Sequence, residues 1–321
     1  MRILRIGRYP ELAILDVPTP EPGRGQVLMK VLGVTTCPQW DLHLRHDEPM
    51  FVGHKFHYPY TPGQPGHEAT GVIAAVGAGV SSVRVGDRVS AWRDQGHDRW
   101  GCYAEYVVLD AENVLSMPTE LPIAATASLE LAMCVGATFL LLRRLGGLEG
   151  LRIGINGLGP AGLVAAQMAR AEGAAQVIGF DVLRPRREFA ASWCVDEAHS
   201  PLDNLGDRFP ARPAVPALDV IVDCVGTKSA VEWAMDHARS GVALFGVQRE
   251  DYVYAPRHYG GLSLIGYPGH SREAAEYAAK LITDGRLDLQ RLITHTLPLS
   301  RYQEGIDLLE RREALKVLFI P

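Results

Sequence analysis

Leu151-Arg152-Ile153-Gly154-Ile155-Asn156 runs directly into Gly157-Leu158-Gly159-Pro160-Ala161-Gly162-Leu163, and a second apolar run, Gln176-Val177-Ile178-Gly179-Phe180, closes on Asp181. The order reads as a strand, a glycine turn, a helix and a second strand ending in an acid. Each part has a physical task in holding a dinucleotide. Gly157 permits the tight turn, Gly159 lets backbone approach a pyrophosphate, and Gly162 lets the helix pack close to the strand. The helix start, Pro160-Ala161-Gly162-Leu163, turns oriented N–H groups toward an anion. Asp181 stands 19 residues past Gly162, where an acid accepts hydrogen bonds from an adenosine ribose. Such an acid repels a 2′-phosphate, so NAD is expected in preference to NADP, although Arg184, Arg186 and Arg187 follow closely.

The alternation continues on the C-terminal side. Residues 217–224 read as a strand, 229–237 as a helix, 242–247 and 262–266 as strands, and 271–284 as a helix, with the proline-rich stretch 204–216 as a loop. Strand–helix alternation of this kind implies a parallel, doubly wound α/β sheet. The first 120 residues have another texture. Short β-type runs at 27–34, 69–76, 88–91 and 103–109 lie between Gly and Pro turn signals, the pattern of a partly open all-β barrel or sandwich. A long helix is expected over 124–144 and a final strand over 315–320. The tail beyond the last strand of the parallel sheet is too short for a domain of its own, so it is expected to return and complete the N-terminal one.

At 321 residues the chain suits two domains, and 47% hydrophobic with 21% charged residues is an ordinary globular composition. A net charge of −5 carries no basic footprint, which argues against nucleic acid as a partner. The five cysteines (Cys37, Cys102, Cys134, Cys194 and Cys224) are scattered and odd in number, as suits reduced thiols in a cytoplasm. The first residues are too short and too charged a stretch for a signal peptide, and apolar runs such as 132–142 fall short of a membrane span, so no membrane partner is expected.

A second constellation lies upstream. Gly66-His67-Glu68-Ala69-Thr70-Gly71 precedes an apolar strand, followed by Gly86-Asp87-Arg88-Val89 and Gly101-Cys102-Tyr103-Ala104-Glu105-Tyr106. With the Gly157–Leu163 turn and Asp219-Val220-Ile221-Val222-Asp223-Cys224-Val225-Gly226, these occur in order along essentially the whole chain. Together they resemble the medium-chain dehydrogenase/reductase family, the zinc-dependent alcohol, polyol and threonine dehydrogenases. The resemblance implies a GroES-like β-rich catalytic domain from 1–122 and 257–321, around a Rossmann doubly wound parallel sheet over 123–256. It also implies a small-molecule substrate and a homo-oligomer, dimer or tetramer.

In such enzymes one catalytic zinc per chain takes a Cys, the His of the GHE turn, and a third ligand near the first helix of the nucleotide domain. His67 matches the second of these. Glu68 would stand behind the metal or exchange onto it. Cys37 matches the first with a shifted register: family members commonly carry Asp three places after the Cys, whereas Cys37-Pro38-Gln39-Trp40-Asp41-Leu42-His43 places it four places later. Either a residue is inserted behind a ligand, or Cys37 is a buried thiol beside a lost site. Glu130 resembles the polyol-dehydrogenase carboxylate and, within the apolar run 127–132, needs a partner or a metal in any case. Cys134, one turn on, competes with it. The family's relay hydroxyl is replaced by Gln39 or Trp40, depending on register. Thr35, Thr36 or a metal-bound water could substitute, with His43 as the outer end. Only 90–100 separates Val89 from Gly101, without a cysteine, so no structural zinc is expected.

His54 and His57, in an aromatic loop over 50–62, border the substrate cleft by analogy, with Trp40 and Trp92 as candidate apolar walls. Arg186 resembles the polyol-dehydrogenase Arg over the adenosine, and Val225, Gly226 and Val247 would line the nicotinamide. The expected activity is hydride transfer between an alcohol or polyol, or the matching carbonyl, and NAD. Two alternatives stay open: a zinc-free quinone or enoyl reductase of the same fold, and a catalytically silent dinucleotide-binding protein.

Overall fold

The computed structural model describes all 321 residues. In chain order the first elements are β1 (Arg2–Ile6), β2 (Leu12–Asp16), β3 (Gln26–Thr35), α1 (Pro38–His46), β4 (Glu68–Val76), β5 (Arg88–Ala91), β6 (Tyr106–Asp110) and β7 (Val114–Ser116). Then come α2 (Ile123–Thr126), α3 (Leu129–Arg144), β8 (Arg152–Asn156), α4 (Pro160–Ala171), β9 (Gln176–Phe180), α5 (Arg184–Ala191) and β10 (Glu197–His199). β11 (Leu218–Asp223), α6 (Lys228–His237), β12 (Ala238–Leu244), β13 (Ser263–Gly266), α7 (Arg272–Thr283), β14 (Ile293–Pro298), α8 (Tyr302–Glu310) and β15 (Lys316–Ile320) complete the chain. Two compact units result, Met1–Met133 with Ala275–Pro321, and Cys134–Ala274. The division therefore falls inside α3 and within α7, where the sequence suggested 122 and 257.

The second unit holds six parallel strands in the order β10-β9-β8-β11-β12-β13. Numbered from β8, that is 3-2-1-4-5-6, the doubly wound Rossmann order, whose switch point lies between β8 and β11. The turn after β8 has the geometry its glycines imply. Gly157 sits at φ +89°, open to glycine at no steric cost, and a Cβ on Gly162 would lie 1.7 Å from the Gly157 carbonyl oxygen. Ile178, Phe180, Ile221, Val231, Met235 and Val242 are buried in one core behind the sheet.

The first unit is β-rich. β3 anchors a sheet ordered β14-β15-β3-β4-β5-β7, with β6 also on β3, and β1 and β2 form a separate hairpin. The C-terminal strand β15 pairs antiparallel with β3, Leu318 opposite Thr35 and Phe319 opposite Val34, so the tail does complete the N-terminal sheet. The strand expected from 103 begins only at Tyr106. The preceding backbone pins the turn before β4 instead: Gly101 N–H donates to Pro62, Cys102 N–H to Gly66 and Tyr103 N–H to Gly63. The helical run Ile123–Arg144 is longer than the apolar stretch 132–142 suggests. At 22 residues it is long and apolar enough to cross a membrane, yet 78% of its most apolar window is buried inside the protein. It is packed as a core helix.

Candidate active site

β3 and β4 pair with Thr35 opposite Glu68. That register brings the residues just beyond β3 to the residues just before β4, and so Cys37 to His67. Donor atoms of Cys37, His67 and Glu68 lie within 4.8 Å of one another. Glu130, in the first turn of α3, places Oε2 3.7 Å from His67 Nε2. His67 Nδ1 lies 2.8 Å from the Pro65 carbonyl. A carbonyl only accepts, so Nδ1 carries a proton, and Nε2 is the nitrogen turned toward Glu130, the one a metal would take.

Burial pushes the His67 pKa down, but the Cys37 hydrogen bond and the Glu130 charge outweigh it and hold it well above the usual value. The same anionic surroundings favour any cation at this point. Thiolate, imidazole and carboxylate converging on a few ångströms are a donor set suited to zinc with a position left open, and the residues present fit that metal.

Glu68 is held from behind. Lys316 Nζ donates to its Oε1 at 2.7 Å and to the Thr36 carbonyl at 2.5 Å, while Thr35 Oγ1 donates to Oε2 at 3.1 Å. Lys316 and Glu68 are fully buried. Thr35 also meets Ser128 at 2.9 Å, and Thr36 Oγ1 accepts from Val317 N–H, so both threonine hydroxyls have fixed partners.

The four-residue spacing from Cys37 to Asp41 has a structural reason. Pro38 starts α1 at its first position, and Cys37 is the N-cap. Asp41 then lies one turn on and accepts the Cys37 N–H at 2.9 Å. Its carboxylate also accepts from the Tyr103 hydroxyl at 2.9 Å and the Tyr302 hydroxyl at 2.8 Å. Burial raises the Asp41 pKa to about 6, with the two tyrosines, His67 and the Cys37 amide opposing. Cys37 is thus anchored through its backbone by a buried acid.

His43 is placed elsewhere: Nε2 meets Gln39 at 3.2 Å and Nδ1 meets the Glu48 carbonyl at 3.1 Å. Trp40 packs against His97 with ring centroids 3.9 Å apart and the rings tilted by 31°, and takes His54 and Phe56 edge-on. Trp92 is buried and donates its indole N–H to Glu112. Sequence reasoning misses Lys316, which looks like one more exposed cation. It also passes over Asp94 and His97, although an acid and an imidazole three places apart in an otherwise featureless loop were readable as a possible pair.

The second unit carries the anion-binding turn. Gly159 caps α4 and Pro160 opens it, leaving the N–H groups of Ala161 and Gly162 unclaimed by the helix while Leu163 N–H bonds back to Gly159. Asp181 follows β9 directly and is buried. Its Oδ2 accepts from Leu158 N–H and its Oδ1 from Leu183 N–H, both at 2.8 Å, so it shapes the turn as well as offering charge. Arg186 reaches within 3.7 Å of Asp181, while Arg187 caps the Asp181 and Val182 carbonyls. At the end of β11, Asp223 accepts from Gly226 N–H at 2.9 Å and from Asn156 at 3.0 Å. Val225 and Val247 remain exposed at the strand ends.

Residues 23–119 match the alcohol dehydrogenase GroES-like domain. The chain is 28% identical to the L-threonine 3-dehydrogenase of Bacillus subtilis, over 96% of this chain and 94% of that one. Galactitol-1-phosphate dehydrogenase from Escherichia coli superposes with a TM-score of 0.82 at 25% identity, over 100% of both chains. A zinc-binding dehydrogenase from Sinorhizobium meliloti, bound to NADP, shares the fold with a TM-score of 0.83 at 23% identity, over 100% of this chain and 99% of that one.

Proposed function

This chain belongs to the medium-chain dehydrogenase/reductase family, and we propose that it is a zinc-dependent dehydrogenase interconverting a small alcohol or polyol and its carbonyl with NAD. The observation that carries the reading is the convergence of Cys37, His67 and Glu68 donor atoms within 4.8 Å, with Glu130 at 3.7 Å from His67. Cys37, His67 and Glu130 would hold the metal, which supplies Lewis acidity at the substrate oxygen. Glu68, tied to Lys316, braces the His67 strand end and keeps a negative charge behind the site. Asp41 fixes the Cys37 backbone.

In the second unit, the amides of Ala161 and Gly162 and the Arg186 guanidinium bind the pyrophosphate and its flank. Asp181 discriminates against a 2′-phosphate, and Val225, Gly226 and Val247 line the ring that takes up hydride. The chain acts as a cytoplasmic homo-oligomer.

Metal analysis of protein purified without added zinc or chelator tests this reading, together with turnover on 2,3-butanediol, sorbitol, galactitol 1-phosphate and L-threonine with NAD. About one zinc per chain is expected, and His67→Ala should abolish both metal and turnover. Turnover retained without metal would sink it in favour of a zinc-free reductase. NADH binding with no turnover on any alcohol would favour a silent binder.

A further inference from the structure

Asp41 grips the Cys37 backbone twice. The Cys37 carbonyl accepts the Asp41 N–H at 2.9 Å, the first hydrogen bond of α1, and the Cys37 N–H donates to Asp41 Oδ2 at 2.9 Å. The carboxylate is held in turn by two tyrosines. The Tyr103 hydroxyl lies 3.0 Å from Oδ1 and 2.9 Å from Oδ2, and the Tyr302 hydroxyl donates to Oδ1 at 2.8 Å. Asp41 is 1%, Tyr103 0% and Tyr302 5% exposed. At that depth water does not replace a lost donor, so these hydroxyls set the orientation of the carboxylate.

Distant parts of the chain meet at this point. Tyr302 opens α8, 261 residues beyond Asp41, and Arg45, one turn further along α1, donates to Asp307 of α8 at 2.5 Å. Helix α8 therefore holds α1 at two levels. Tyr103 also holds the segment that carries the second ligand. Its N–H donates to the Gly63 carbonyl at 3.0 Å, Gly66 N–H closes the same turn onto Gly63 at 3.1 Å, and His67 follows directly. A Cβ on Gly66 would lie 2.7 Å from the Tyr103 nitrogen, so turn and tyrosine backbone are in close contact. The two tyrosine rings meet edge-on with centroids 5.1 Å apart, and both pack on Phe319 of β15. Tyr103 thus touches the His67 turn with its backbone and the anchor of Cys37 with its hydroxyl.

Resting on the zinc-dehydrogenase reading, we propose that Tyr103 and Tyr302 are positioning residues of the candidate metal site, which through Asp41 hold the Cys37 thiol at the distance from His67 that a shared metal requires. The need is geometric. Ligand distances at a metal vary by only about 0.2 Å. Cys37 lies past the end of β3, whose pairing with β4 stops at Thr35 opposite Glu68, so the sheet ladder does not fix it. The Asp41 carboxylate takes over where the ladder has ended, and the tyrosines keep that carboxylate in place. Partners that orient metal ligands from behind are typically worth about 10–100-fold in metal affinity.

Two readouts on the full-length protein test this: zinc titration against a chromophoric chelator, and the visible spectrum of the cobalt(II) derivative. Tyr103→Phe and Tyr302→Phe should each weaken zinc binding about tenfold, the lower end of that range, and shift the thiolate-to-cobalt charge-transfer band. Leu309→Ala removes another buried α8 side chain but no hydrogen bond to Asp41. It should lower Tm yet keep the zinc affinity and the cobalt spectrum, which separates positioning from stability alone. Asp41→Asn should weaken zinc at least as much as either tyrosine variant. Adding Tyr302→Phe to it should cost no further affinity, because the tyrosine acts through the carboxylate. Should Asp41→Asn fail to fold, the two tyrosine variants decide by themselves. Tyrosine variants with wild-type zinc affinity and cobalt spectrum, or losses that simply add in the double variant, overturn the inference. A wild-type protein that binds neither metal overturns the zinc reading itself, and the inference falls with it.

Discussion

Lys316→Met isolates the buried pair behind the candidate metal ligands. Lys316 is 0% and Glu68 1% exposed at the side chain, and their 2.7 Å contact joins β15 to the start of β4. Met keeps the length of the lysine stem, so the loss is chiefly the charge and its two hydrogen bonds. Removing one partner of a buried pair leaves the other uncompensated and costs about 3–5 kcal/mol. The Thr35 hydroxyl remains on Glu68 but does not neutralise it. For a unit of this size each kcal/mol lowers Tm by about 2–4 °C, so the first thermal transition should fall by roughly 6–20 °C.

Urea denaturation supplies the matching free energy. The double variant Lys316→Met/Glu68→Gln carries no buried charge at this position and should recover about 1–3 kcal/mol of the loss, the coupling expected of directly contacting groups. A single variant within about 1 °C of wild type, or a double variant whose cost is the sum of the singles, would refute the reasoning.

Two other expectations come from the nucleotide unit. Burial raises the Asp223 pKa from 3.8 to about 6, against the pull of the Gly226 and Val225 amides and Asn156. The folded state therefore holds this proton more tightly than the unfolded chain. Its stabilising contribution is complete below pH about 4 and is lost as pH rises through about 6, a change of about 3 kcal/mol. Relative to Asp223→Asn, wild-type stability in urea should fall between pH 4 and pH 7, and a difference that is flat or rising with pH would contradict this. Gly162→Ala forces a Cβ into the Gly157 carbonyl at 1.7 Å, so the turn must open. NADH binding, followed by fluorescence, should weaken more than tenfold, while zinc content stays at the wild-type level; an unchanged NADH Kd would show that the turn does not hold the cofactor.

Much of the parallel sheet was legible because its signals are local. A glycine at positive φ, a proline at a helix start and an apolar run ending in an acid each act within a few residues. The runs at 217–224, 229–237 and 262–266 fall where β11, α6 and β13 form. Shorter elements escaped: β10 has three residues, and α8 and β14 carry amphipathic patterns too brief to stand above their surroundings. α1 was hidden by its own sequence, since Cys37-Pro38-Gln39-Trp40 reads as a damaged motif until Pro38 is seen opening a helix.

What the sequence determined alone is the kind of chemistry available: a thiol, an imidazole and carboxylates in one domain, and an anion-binding turn in the other. Which of these side chains meet was decided by tertiary structure. Cys37 reaches His67 because β3 and β4 pair with Thr35 opposite Glu68, a register that alternating apolar residues alone do not specify. Lys316 meets Glu68 across 248 residues of chain because β15 returns to β3. Trp40, His97 and Tyr60 come from a helix and two loops whose approach no local preference encodes. A polar side chain's role follows from the partner that satisfies it when water is removed, and that partner is supplied by long-range packing.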